Sequence, residues 1–145
     1  MAILTNIIAA YPDDIEALGE SLHPLDEWSG IEMRDVDTAK ITTLHCLLTG
    51  DLFDDAIIRY EPVYVSPAEG ALVLQVADEL MDRLARLDED HIEAVAAELA
   101  ATEEFESEEW REDEILAMLM ELVELAQRAE SQGQEMFVWM HPLRT

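Results

Sequence analysis

The sequence predicts a single α+β domain, residues 1–145, with about five helices packed on one face of a small sheet that includes the N- and C-terminal strands. Three observations predict it. The chain has 145 residues, half of them hydrophobic, which is enough to bury one core and leaves little room for a second. Apolar, β-branched or aromatic runs lie near both ends, at Ile3 to Ala10 and Gln134 to Met140, where strands are expected. Between them the apolar residues recur at three and four in segments with their own start and stop signals, the mark of amphipathic helices.

In chain order, the Ile3 to Ala10 strand is followed by Tyr11-Pro12-Asp13-Asp14, where a proline and two acids suit the first turn of a helix running to about Gly19. Glu20 to Asp35 carries Pro24, Gly30 and scattered acids without periodicity and reads as an irregular connection. Asp37 or Thr38 can cap a helix through Ile41, Leu44, Leu47 and Leu48, with Gly50 placed to end it in a left-handed conformation. A loop with Asp51, Asp54 and Asp55 leads to a short strand at Val63-Tyr64-Val65. Ser66-Pro67-Ala68-Glu69 has the form of a capping box and is expected to open a helix whose apolar face is Val73, Val76, Ala77, Leu80, Met81 and Leu84. Asp88 caps the next helix, through Ile92, Val95, Ala96 and Leu99. A longer one runs from Ile115 to about Ser131, with Glu121 and Glu124 alone charged between Ile115 and Ala126, so it is expected to be the most buried. Gly133 ends it before the last strand.

Charge bounds the function. Thirty-four Asp and Glu stand against eight Lys and Arg, a formal net charge of -26. Direct nucleic-acid binding is excluded in practice, because neutralising phosphates needs Lys and Arg and the chain holds one lysine, Lys40. The acidity does not imply disorder in a chain that is half apolar. Cys46 is the only cysteine, so no disulfide forms within the chain. The start Met1-Ala2-Ile3-Leu4 lacks the basic, long-apolar pattern of a signal peptide, and the apolar run Ile115 to Met120 is far short of a membrane span. A cytoplasmic protein that does not cross a membrane is expected.

The segment Thr43-Leu44-His45-Cys46-Leu47-Leu48-Thr49-Gly50, followed by a strand, a Ser-Pro-x-Glu helix start, an acidic Trp-containing loop, a long helix and a closing strand, resembles the YfbM-like family of small bacterial proteins. The resemblance runs from about Asp35 to Met140 and implies an α+β domain without implying a biochemical role. The family usually has tryptophan four residues before the histidine; here that position is Ile41.

Candidate chemistry is sparse. A histidine side chain has the chemistry of an acid, base or ligand near neutral pH, yet between Leu44 and Leu48 His45 reads better as a hydrogen-bonded structural histidine. A pocket near its helix could join His45, Thr49 and one of Asp51, Asp54 or Asp55. Those aspartates lack the spacing, glycine and closing glutamate of a calcium loop, no His-x-x-x-His or Cys-x-x-Cys pair exists for zinc, and glycine-rich phosphate loops and Gly-x-Ser-x-Gly elbows are absent. Neither a metal, a cofactor nor a catalytic centre is expected. The stretch Glu103 to Glu114 holds eight acids around Phe105 and Trp110 with Arg111 as its one base. Glu103, Glu104, Glu106, Glu108, Glu109, Glu112 and Asp113 could form an acidic rim with Trp110 as its aromatic anchor, unless the indole folds back onto the core. The expected function is that of an immunity-type inhibitor covering a basic toxin or effector. The other readings are a DNA mimic and an enzyme or ligand-binding protein using the His45 pocket.

Overall fold

The computed structural model describes residues 3–67 and 70–141, and they form an α+β domain built on one five-stranded sheet. Its strands are β1 (Leu4–Ala10), β2 (Ser29–Arg34), β3 (Tyr64–Val65), β4 (Leu72–Gln75) and β5 (Glu135–His141), in the order β2-β1-β5-β4-β3 and antiparallel throughout. The helices are α1 (Ile15–Glu20), α2 (Thr38–Thr49), α3 (Phe53–Ile57), α4 (Asp78–Ala85), α5 (Glu89–Ala100), α6 (Glu103–Glu106) and α7 (Glu112–Ser131). Short 3-10 turns stand at Pro12–Asp14, Pro24–Asp26 and Ile58–Tyr60. No helix among the described residues is long and apolar enough to cross a membrane. Met1 and Ala2, on which the leader reading partly rests, lie outside the described residues.

Successive side chains of a strand point to opposite faces, and the central strands here bury both. Ile7 and Ala9 of β1, Leu74 of β4, and Met136, Val138 and Met140 of β5 join α2, α4, α5 and α7 in the larger core. Leu4, Ile8 and Ala10, with Val73, Phe137 and Trp139, face the other way into a smaller core closed by Leu18 of α1 and flanked by Leu25, Trp28 and Tyr64. The sheet is therefore covered on two sides, where one had been expected. As expected, α7 is deeply buried, with eight core residues from Ile115 to Ala129.

Three segments differ from the sequence reading. Ser29–Arg34, expected to be irregular, is the edge strand β2, which pairs along β1 from Leu4 with Arg34 to Ala9 with Ser29. At Gly30 a Cβ would run into the Ile7 carbonyl oxygen, so glycine lets the two strands close. The loop after Asp51 contains α3 and the Ile58–Tyr60 turn. The helix expected from Ser66 begins only at Asp78. Ala68 and Glu69 of its proposed cap lie outside the described residues, and Leu72–Gln75 is a strand paired with β5. Val73 and Leu74 are both fully buried, on opposite faces, so the strand shows an unbroken apolar run that resembles buried helix.

Candidate functional site

Helix α2 is where the sequence signals and the chemistry meet. Asp37 caps it by accepting the Lys40 N–H at 3.0 Å, and Gly50 closes it at φ 85°. That left-handed residue turns the chain back, and Asp51 returns to the helix it has just left. Thr49 Oγ1 donates to the His45 carbonyl at 2.7 Å and accepts the Asp51 N–H at 3.3 Å. Asp51 Oδ2 then lies 2.7 Å from His45 Nε2. On the far side of the ring, Nδ1 meets Tyr60 Oη at 2.8 Å, with the two rings edge-on and their centroids 5.5 Å apart. Of the three aspartates considered beside His45 and Thr49, Asp51 is the one brought to them, whereas Asp54 and Asp55 point into solvent from the first turn of α3.

The network assigns the tautomer. An ionised carboxylate only accepts, so His45 Nε2 carries the hydrogen, and Nδ1 is left to accept from the Tyr60 hydroxyl. His45 and Tyr60 are almost wholly buried, at 0 % and 1 % exposure. Burial pushes the Tyr60 phenol well above its ordinary range. At the solvent end, the hydrogen bond from His45 holds the Asp51 carboxyl below its ordinary value. Glu79, in the first turn of α4, is lowered in the same way by Arg59, whose Nη1 lies 2.8 Å from its carboxylate. One donor atom each from His45, Asp51 and Glu79 falls within 4.8 Å of the others. Cys46 is not activated: burial, and then the charges of Asp51 and Glu104, push its thiol up.

A carboxyl whose folded pKa is depressed stabilises the fold above its unfolded pKa, and that contribution is lost as pH falls through the folded value. The Asp51 contribution is therefore expected to be complete above about pH 4 and to fade below it. Acid unfolding curves of the parent protein and Asp51→Asn should separate above pH 4 and converge toward pH 2. Curves that run parallel across that range would mean that His45 does not hold the carboxylate.

The acidic segment is partly turned inward. Lys40 is 2 % exposed. It forms an ion pair with Glu108, lies 3.9 Å from Asp37, and carries its ammonium 5.9 Å from the Phe105 ring centroid. Glu104 accepts from Thr43 Oγ1 at 2.7 Å. The α6 segment is thereby fastened to α2. Of the two placements open to Trp110, the structure has the one against the core: the indole is half-buried, edge-on to Phe105 at 5.4 Å. Glu103, Glu106, Glu109, Glu112 and Asp113 remain exposed.

Sequence reasoning had marked one end of the His45 network and missed the other. Tyr60 and Glu79 reach it from elements joined to α2 only through tertiary packing, and no spacing links them to His45.

No family model matches the chain, and none of the curated proteins matches it. Among solved structures it is similar to the crystal structure of YfbM from Escherichia coli, a protein of unknown function, at 16 % identity and a TM-score of 0.48, over 94 % of this chain and 99 % of that one.

Proposed function

We propose that the protein is a non-catalytic cytoplasmic binding protein, an immunity-type inhibitor that neutralises a basic toxin or effector by covering its working surface. One observation carries this reading. Of the eight large hydrophobic residues exposed among those described, five fall between Leu52 and Val65: Leu52 at 72 %, Phe53, Ile58 at 66 %, Val63 and Val65. They are interspersed with Asp54, Asp55 and Glu61, all exposed. Exposed apolar side chains concentrated in one segment and set among charged ones mark an interaction surface, and the excess of acids among them suits a basic partner.

The exposed acids of the α6–α7 segment supply long-range attraction. Both α3 and α6 pack against α2, so steering and contact surfaces share one support. Acidic steering can raise association by roughly 10 to 1,000-fold at low salt. Rim charges act mainly on association and buried apolar anchors on dissociation.

The test is binding kinetics with the partner recovered by co-purification from the native host. Replacing Glu106, Glu109 and Asp113 by Lys should slow association and flatten its salt dependence, while Leu52→Ala with Ile58→Ala should speed dissociation by about 10-fold or more. Kinetics indifferent to salt and to both sets of substitutions would end this reading. Displacement of DNA from several unrelated binders would identify a DNA mimic instead.

A further inference from the structure

We propose that His45, Asp51 and Glu79 form a binding site for a first-row divalent metal ion of the zinc type. The site differs from a patch of surface carboxylates in its nitrogen ligand and in how that ligand is held. His45 is fully buried on α2, Asp51 follows the helix's glycine stop, and Glu79 opens α4. Two separate stretches of backbone converge, the end of α2 with its turn and the start of α4, and the three donor atoms lie within 4.8 Å of one another. Donors around such an ion stand about 3 to 4 Å apart, so small shifts, with Glu79 closing in and the 2.7 Å His45–Asp51 pair opening, bring the set to ligand spacing. An imidazole with two carboxylates favours zinc or its first-row neighbours over magnesium and calcium, which prefer oxygen throughout.

Support behind the ring is the second observation. A metal-bound histidine is normally oriented through its other nitrogen, and Tyr60 Oη stands 2.8 Å from His45 Nδ1. When the ion takes the Nε2 lone pair, the ring hydrogen moves from Nε2 to Nδ1 and Tyr60 changes from donor to acceptor, with its own hydroxyl hydrogen turned aside. Asp51 exchanges its hydrogen bond from Nε2 for the ion. Arg59 now neutralises Glu79 at 2.8 Å and must leave. Both side chains of that pair are more than a third exposed, so releasing it costs little. Arg59 is thus the internal competitor of the ion, and the net charge of -26 draws cations toward the surface.

The metal-stripped protein is titrated with Zn²⁺ by calorimetry, with Mg²⁺ as the oxygen-preferring control and circular dichroism confirming the fold of each variant. One Zn²⁺ per chain is expected, with Mg²⁺ binding far more weakly. Affinity should fall at least about 10-fold in Asp51→Asn and in Glu79→Gln, and about 10-fold in Tyr60→Phe, which keeps the ring and removes the outer partner. It should rise in Arg59→Gln and stay unchanged in Asp54→Asn, the control for general acidity. Absence of saturable one-to-one binding, or equal affinity in Asp51→Asn and Asp54→Asn, overturns the proposal.

Discussion

Trp139→Ala is expected to remove about 3–5 kcal/mol of folding stability, the range for truncating a large buried aromatic. Trp139 is 0 % exposed on the middle strand of the sheet, between Asn6 of β1 and Val73 of β4. It fills the smaller core with Phe137, Ile8 and Leu18, a layer closed by one short helix and a turn. Few neighbours there can collapse into the space an indole leaves, so the cavity contribution is near its upper range. A chemical contrast isolates the cause. The indole Nε1 has no hydrogen-bond partner among the described residues, as is also true of Asn6 Nδ2. Trp139→Phe discards that unpaired donor while keeping much of the apolar area, and should cost well under half as much. Urea unfolding with unchanged m-values measures both. A loss below about 1.5 kcal/mol for the alanine variant would mean that the second face is not a packed core.

His45→Leu should cost about 2–4 kcal/mol, and little of that loss is volume. The leucine leaves the buried Tyr60 hydroxyl without its acceptor, at about 1–3 kcal/mol, and deprives Asp51 of a charge-assisted hydrogen bond. Tyr60→Phe alone should cost less, about 1–2 kcal/mol, since it strands the His45 Nδ1 and removes a backbone hydrogen bond from Ala77 but leaves the His45–Asp51 pair in place. The double variant is the informative one: with both partners apolar, no polar atom of the pair is left stranded, and the combined loss should be smaller than the sum of the two. Strict additivity would show that the 2.8 Å contact contributes nothing in solution.

Legibility in the sequence followed the range of the forces involved. Helix α2 could be read because Asp37 and Gly50 act within one turn of the ends they define, and α7 because its polar stripe is narrow. His45 and Thr49 could be placed together because a spacing of four sets them on one helical face. β2 was missed although Ile31 and Met33 alternate with Glu32 and Arg34. Four residues of alternation at a sheet edge are a weak signal, and what makes them a strand is β1 lying alongside. β4 was read as helix because a strand buried on both faces has no polar side to betray its period. Tyr60 and Glu79 lie beyond any local rule, since their meeting with His45 depends on how the Ile58–Tyr60 turn and α4 are set against α2.

The strand order has a kinetic consequence. The first and last strands lie side by side in the middle of the sheet, with Leu4 opposite His141. β1 and β4 each gain an inner neighbour only when β5 arrives, so the two halves of the sheet stay apart until contact spans nearly the whole described chain. Closing so large a loop costs entropy before it gains contacts, which slows folding. On the ribosome, the helices can form as they emerge while the exposed margins of β1 and β4 wait for β5, which follows α7. Until then both are open to pairing with other chains, and the surplus of negative charge keeps the waiting chains apart.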